Sequence, residues 1–236
     1  MRVTVFTSNQ PRHLAFVRKL QHIADVTAII ETMPFAAGAN YHASYKSDVM
    51  KRYFERVLGA EFKVFGAPYP LKGVEVMPLA MGDASYLEAA YDAATYIVVF
   101  GASYIREPCI DWLIKKRAVN IHMGISPEYR GSSCNFWAMY DNRPDLVGAS
   151  VHLLTKGLDS GPILFHARPQ RHDDPFEFTM RAVEAAQDAV CERIVHKTLF
   201  DNEPFAQDRA KELKYTRASD FTDEIAAEYL ARVDNG

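Results

Sequence analysis

Apolar residues along this chain follow two alternating rhythms. Short β-branched runs of strand length are separated by stretches in which apolar residues return every three or four positions. Arg2 to Thr7 (RVTVFT) has the composition of a buried strand. Ser8-Asn9-Gln10-Pro11 interrupts it, Pro11 suits a first helical turn, and Leu14, Val17, Leu20 and Ile23 then recur at helical spacing. Val26 to Ile30 is a second strand. A β-α-β opening of this kind predicts an α/β fold on a mainly parallel sheet. Met33 to Tyr45 is rich in small residues and predicts a mobile loop. Lys46 to Leu58 predicts a helix with Val49, Tyr53, Phe54 and Val57 on one side. Ala67 to Leu71 and Val74 to Pro78 fit neither period clearly.

Further along, the pattern predicts a helix over Tyr86 to Ala94 and a buried strand over Tyr96 to Phe100 (YIVVF), ending at Gly101. A helix over Glu107 to Lys116 and a strand over Ala118 to His122 follow. Asn135 to Asp141 suits a short helix, and Ala149 to Leu154 and Ile163 to Ala167 suit two strands. Phe176 to Leu199 is a long helix, with Met180, Val183, Ala186, Val190 and Ile194 spaced for burial. Beyond Asp201 the chain turns polar and alternates weakly. Internal repeats and low-complexity segments are absent. The expected division is a catalytic domain over 1–200 and a C-terminal extension over 201–236.

Composition narrows the function classes. A chain of 236 residues fits one large domain, or one domain with a small appendage, and 48% hydrophobic with 24% charged residues is ordinary for a soluble globular protein. Net charge is −3, and the compact basic run Lys115-Lys116-Arg117 suits the solvated end of a helix, so a nucleic-acid partner is not expected. The three cysteines, Cys109, Cys134 and Cys191, are odd in number and widely spaced without a CxxC, which fits neither a zinc knuckle nor a disulfide framework. Cys134 is expected to be a buried structural thiol. The N-terminus enters a strand at once, and no run of about 18 apolar residues occurs, so neither a signal peptide nor a membrane span is expected and the cytoplasm is the default compartment. HExxH, GxGxxG, P-loop and GxSxG patterns are missing, and His166 with His172 lacks helical ligand spacing, so no metal is expected.

One polar cluster stands out. NIHMGISPEYRG, Asn120 to Gly131, is followed by LDSGPIL, Leu158 to Leu164. Side chains alternate faces along a strand, so Asn120 and His122 point the same way. Asp159 precedes Ser160-Gly161-Pro162, a turn that would hold a carboxylate at a strand entrance. In open parallel sheets ligands collect at the C-terminal strand ends, where Gly101, His122 and the loop after Ser8 would all lie. Taken singly, His122 suits a strand-end imidazole satisfied by backbone, and Asp159 a turn carboxylate accepting local N–H groups. Jointly they suit acyl transfer. An amine attacking an acyl carbon creates an oxyanion and an ammonium. Preorganised donors at such an oxyanion are worth about 3–4 kcal/mol each. A carboxylate paired with the histidine raises its basicity and fixes its orientation, and can relay the proton through a water.

These residues resemble the folate-dependent formyltransferases, a family that includes glycinamide ribonucleotide transformylase, methionyl-tRNA formyltransferase and the nucleotide-sugar N-formyltransferases. The shared pattern is an Asn-x-His near a Pro-x-Tyr-Arg-Gly, a His on a strand, and then Leu-Asp-x-Gly-Pro. Here it falls on Asn120, His122, Pro127 to Gly131, His152 and Leu158 to Pro162. The resemblance implies a Rossmann-like, doubly wound domain that uses N10-formyltetrahydrofolate as co-substrate. It implies that Asn120 and His122 bind the formyl oxygen and that Asp159 assists proton transfer. The folate pterin would lie against Phe100, Gly101, Ala102 and Ile105, and against Gly157 and Leu158 before the turn.

Within that resemblance the chain departs in two places. Met123 follows His122 where many relatives have Pro, and the first loop, Ser8 to His13, lacks the glycines of the purine-pathway enzymes. Residues 201–236 are too few for the C-terminal β-barrel of tRNA-directed relatives. The stretch LKYTRASDFT, Leu213 to Thr222, is similar to the compact sugar N-formyltransferases. The acceptor implied is a nucleotide-linked 4-amino-4,6-dideoxy sugar, dTDP- or GDP-linked, for surface polysaccharide such as lipopolysaccharide O-antigen. Arg12, His13, Lys46 or Arg52 would meet its pyrophosphate, and Tyr41 or Tyr45 would stack on base or sugar. Asn9, Ser126 and Arg130 complete the candidate acceptor set. Phe205, Tyr215, Phe221 and Tyr229 would seal a homodimer or cap the domain. The alternatives are a glycinamide ribonucleotide or tRNA-type formyltransferase, a formyltetrahydrofolate deformylase with water as acceptor, and a non-catalytic nucleotide-binding module.

Overall fold

The computed structural model describes residues 1–31, 47–67, 70–72, 75–78 and 94–235. In it the alternating rhythm of the sequence becomes a layered sheet. The elements run β1 (Arg2–Ser8), α1 (Pro11–Gln21), β2 (Asp25–Glu31), α2 (Asp48–Phe65), β3 (Glu75–Pro78), β4 (Tyr96–Val99), α3 (Cys109–Lys115), β5 (Val119–His122), β6 (Tyr129–Gly131), α4 (Cys134–Tyr140), β7 (Ala149–Leu153), β8 (Ile163–Ala167), α5 (Pro175–Val195), β9 (Lys214–Thr216) and α6 (Asp223–Asn235). Seven strands join in the order β3-β2-β1-β4-β5-β7-β8. The pairs from β3 through β5 are parallel. β7 runs antiparallel to β5, and β8 antiparallel to β7.

Both faces of this sheet are covered, which is why its strands read as continuous apolar runs. Val5 and Phe6 are adjacent, point to opposite faces and are both fully buried. Val3, Val5 and Val98 join one core with α1, α2 and α5, to which Phe16, Leu20, Tyr53, Val183 and Val190 contribute. Phe6, Ile97 and Val99 face a second core with Trp112 and Leu113 of α3. Helix starts follow local chemistry. The Ser47 hydroxyl accepts from the Met50 amide at 3.1 Å, and Asp174 accepts from the Phe176 and Glu177 amides ahead of a helix that opens on Pro175.

Several elements depart from the sequence reading. α2 runs past Leu58 through Gly59 to Phe65, because Ala60 and Glu61 extend its buried face and the Glu61 carboxylate accepts from both the Arg12 backbone N–H and its guanidinium. α5 stops at Val195, short of Leu199, where Lys197 takes a left-handed φ of 59°. Within Val74 to Pro78, residues 75–78 form strand β3. The loop expected over Met33 to Tyr45, and the helix expected over Tyr86 to Ala94 save its last residue, lie outside the described residues.

The tail is more structured than its polar sequence suggests. Phe205 and Ile163 exchange two backbone hydrogen bonds, β9 pairs parallel with β6, and α6 packs beside α2. Ala226, Tyr229 and Leu230 sit at i, i+3 and i+4 and are buried; Tyr229 meets the Phe136 and Phe176 rings at centroid distances of 5.0 and 5.8 Å. Of the tail aromatics, Tyr229 caps the core, while Phe205 and Tyr215 remain exposed. Among the described residues no helix is long and apolar enough to cross a membrane.

Leu230→Ala should therefore cost about 2–5 kcal/mol in a urea titration, the range of a core cavity. A loss below about 0.5 kcal/mol, the size of an ordinary surface change, would mean that α6 merely decorates the surface.

Candidate active site

Three strand ends and one turn converge at the C-terminal edge of the sheet. β1 ends at Ser8, β4 leads into Gly101, and β5 ends at His122. Strand alternation aims Asn120 and His122 the same way, as the two-residue spacing predicts. Both reach Asp159, carried on the turn ahead of β8. The His122 Nδ1 lies 3.2 Å from Asp159 Oδ2, and the Asn120 amide donates to Asp159 Oδ1 at 3.2 Å. The β5–β7 register sets Asn120 opposite His152 and His122 opposite Ser150. The His152 Nδ1 lies 2.8 Å from the Leu153 carbonyl, and its Nε2 lies 3.1 Å from Asn120 Nδ2. The Ser150 hydroxyl accepts from the Ser126 amide and donates to the Gly124 carbonyl, pinning the loop after β5.

Two features of the site go beyond what the sequence pattern predicts. His152 enters the sequence pattern only as part of a motif, yet it is the third group against Asp159, its Nε2 3.7 Å from Oδ1. Cys134 is buried, as expected, but its sulfur is also 3.4 Å from His122 Nε2. The close approach depends on Gly124, where a Cβ would stand 2.5 Å from that of Cys134 and 2.9 Å from His122 Nε2.

Burial by itself would keep His122 neutral. The neighbouring Asp159 carboxylate, and after it the Cys134 sulfur, outweigh that and hold its pKa well above the ordinary histidine value. Burial likewise opposes charge on Asp159, and the His122 and then His152 interactions outweigh it, leaving this carboxyl well below the usual range. Both directions favour an imidazolium–carboxylate pair at this site.

Two cavities share a wall at His122, Met123 and Arg12. The larger, about 500 Å³, is lined by Phe100, Gly101, Ala102, Ile105, Gly157 and Leu158 as well as by Asn120, His152 and Asp159. All six residues expected at the pterin therefore line one space with the polar cluster. Gly101 takes a φ of 69°, and a Cβ there would stand 2.2 Å from His13 Nε2. The smaller cavity, about 290 Å³, has mostly apolar walls, among them Tyr53, Phe54, Val57, Phe136, Met180 and Phe221.

The expected acceptor residues are scattered. Arg12 borders both cavities, with its guanidinium on Glu61. His13 is not a cation for a pyrophosphate: burial, with Arg12 adding to it, holds its pKa well below the ordinary value, and its Nδ1 is 2.5 Å from the Ser8 hydroxyl. Ser126 is fully buried and closed to a ligand. Arg130 is also buried, its guanidinium taken by Glu212 and the Leu158 carbonyl. Arg52 pairs with Asp234 of α6. Asn9 is half-buried just past β1. Tyr41, Tyr45 and Lys46 lie outside the described residues. Among the described residues no group of three metal-ligating side chains gathers.

A family model described as formyl transferase matches residues 1–194. A methionyl-tRNA formyltransferase from Synechococcus sp. is 30% identical over 76 residues, which cover 32% of this chain and 23% of that protein. The chain thus spans about a quarter of the length of the curated relatives it matches. The fold is similar to that of a sugar N-formyltransferase from Shewanella sp., at TM-score 0.58 and 17% identity over 94% of this chain and 78% of that one. It is also similar to an N-formyltransferase from Helicobacter canadensis in complex with folinic acid and dTDP-3-aminofucose, at TM-score 0.56 and 13% identity over 96% and 78%.

The ion pair makes a direct prediction. In Asp159→Asn, burial is left opposed only by Cys134, so the His122 pKa should fall below that of the wild type, as read from its ring proton by NMR titration. An unchanged titration would show that Asp159 does not set the charge on His122.

Proposed function

The chain belongs to the formyl transferase family, and from that premise we propose that it transfers a formyl group from N10-formyltetrahydrofolate to the amine of a nucleotide-linked amino sugar. The observation that carries this reading is the meeting of two cavities at His122. A group transfer between two substrates needs two binding spaces that open on one set of catalytic side chains, and a pure binding module does not. The larger cavity fits a pterin in size and composition, with apolar Val99, Phe100, Ile105, Ile110 and Leu158 alongside polar Asn120, His122, His152 and Asp159. When bound there, the folate supplies an activated formyl carbon.

The chain's own groups then have distinct tasks. Charged His122 keeps Nδ1–H on Asp159 and presents Nε2–H to the oxygen that becomes negative as the amine adds. Asn120 exchanges its long bond to Asp159 for the same oxygen. Asp159, held ionised, keeps the imidazolium in place and relays the proton lost by the amine, through one water, toward the leaving nitrogen.

The smaller cavity supports the choice of acceptor. Its aromatic and aliphatic walls suit a sugar that has lost hydroxyls, such as a 4-amino-4,6-dideoxy sugar, and Arg12 at the shared border is placed for the dTDP or GDP end. The Helicobacter canadensis neighbour, which holds folinic acid and a dTDP-linked amino sugar, supports the same pairing of ligands. Such a product would serve surface polysaccharide, lipopolysaccharide O-antigen included.

His122→Ala should reduce formyl transfer by at least about 10²-fold, the scale of one oxyanion donor, with the circular dichroism spectrum retained and Tm lowered, because Asp159 is left buried without its partner. Wild-type turnover in that variant would sink the assignment. A panel of dTDP-, GDP- and UDP-linked amino sugars and glycinamide ribonucleotide identifies the acceptor. Formate release without any amine would instead mark a deformylase.

A further inference from the structure

We infer that Gln207, on the C-terminal tail, is a positioning residue that holds Asp159 in its working geometry. This rests on the catalytic reading of Asp159 given above.

The turn that carries Asp159 needs holding. Asp159 takes a φ of 45°, in the left-handed region. For a residue other than glycine this conformation costs on the order of 1 kcal/mol or more and persists only when the surroundings impose it. Gly161 leaves little room to rearrange, since a Cβ there would stand 1.7 Å from the Leu153 carbonyl oxygen. No helix or strand spans Thr155 to Pro162.

Long-range side chains supply the restraint. Gln207 Nε2 donates to the Asp159 carbonyl at 2.9 Å and to the Gly161 carbonyl at 2.8 Å, so one amide group clamps both sides of the Asp159–Gly161 bend. Arg130 donates to the preceding carbonyl, that of Leu158, at 3.1 Å. Arg130 is in turn fixed by Glu212 at 2.8 Å and lies over the Tyr215 ring. Three of the turn's carbonyls are thereby held by Gln207, or by an arginine that the tail holds. Gln207 itself is placed by the two backbone bonds between Phe205 and Ile163, the first residue of β8. The tail thus reaches the catalytic carboxylate through its backbone and leaves its oxygens for His122 and Asn120.

The shape of the clamp gives a discriminating variant. Gln207→Glu preserves size but replaces both donors with oxygens facing two carbonyls, so it should be at least as harmful as Gln207→Ala. If Gln207 only filled space, Gln207→Glu would be close to wild type. The experiment compares wild type, Gln207→Ala, Gln207→Glu and Glu212→Gln. Three readouts are needed: formyl transfer at varied amine concentration, Tm, and an NMR titration of the His122 ring in the free protein.

Both Gln207 variants should lose about 10- to 100-fold in kcat, the cost of misplacing a catalytic group by about 1 Å. The KM for the amine should change by less than about twofold, as expected when ground-state binding is untouched. The His122 titration should move to lower pH, and Glu212→Gln should shift the same readouts in the same direction by less. Wild-type kcat with a wild-type His122 titration in Gln207→Glu would overturn the proposal. If Gln207→Ala does not fold, Gln207→Glu and Glu212→Gln still decide it. If the wild type transfers formyl to none of the amines, the functional reading falls, while the His122 titration still tests the clamp.

Discussion

A carboxylate and an imidazole buried together are held by a balance that neither could reach alone. Moving either charge out of water costs several kcal/mol, and only close pairing with further hydrogen bonds offsets it. Asp159 and His122 meet that condition because Asp159 also accepts from Asn120 and lies near His152. Much of the local architecture follows from this requirement. β5 must end where its second and fourth residues can reach the turn. β7 must run antiparallel beside it so that His152 and Ser150 fall opposite Asn120 and His122. The turn must hold a left-handed aspartate. Displacing the end of β5 or the turn would leave a charge buried without its partner.

The sheet supplies the stiffness that such a pair needs. Its strands are packed on both faces, with separate cores above and below, so the C-terminal ends of β1, β4 and β5 are fixed relative to one another. The larger cavity opens along these ends, with its rim on the loop after β4. A second cavity borders His122, walled by α2, α4 and α5 with Phe221 of the tail among its lining residues. His122 is thus reached from two sides by two different surfaces, one rimmed by backbone and polar groups and one apolar.

Much of this is legible in the sequence where the determinants are local. The β-branched runs mark the strands, and the two-residue spacing of Asn120 and His122 sets their common direction. Ser160-Gly161-Pro162 marks the turn that presents Asp159. What cannot be read depends on partners far along the chain. Arg130 has the side chain of a phosphate ligand, but its carboxylate, Glu212, stands 82 residues away. Residue type announces charge and says nothing about whether that charge is already spent. His13 misleads for a related reason: only the packing of Phe100 and Gly101 over its ring shows that it is buried and neutral. The tail hides its order because short strands and a single helix, laid against a body already formed, need little hydrophobic periodicity of their own.

Under the proposed function, the apolar second cavity also bears on why transfer would win over hydrolysis. Water competes with any amine for an activated formyl carbon, and it is present at far higher concentration. The stretch of this pocket walled by Tyr53, Phe54, Val57, Phe136, Met180 and Phe221 offers a lone water fewer partners than its polar side at Arg12, Ser133, Asn135 and Thr179. An amine attached to a deoxygenated ring instead gains from filling that space, because its apolar faces leave water as its nitrogen approaches His122. On the proposed function, selectivity against water would come from the walls, and the stabilisation of the oxyanion from His122 and Asn120. The tail contributes to both: Phe221 joins the apolar wall, and Gln207 steadies the turn that carries Asp159.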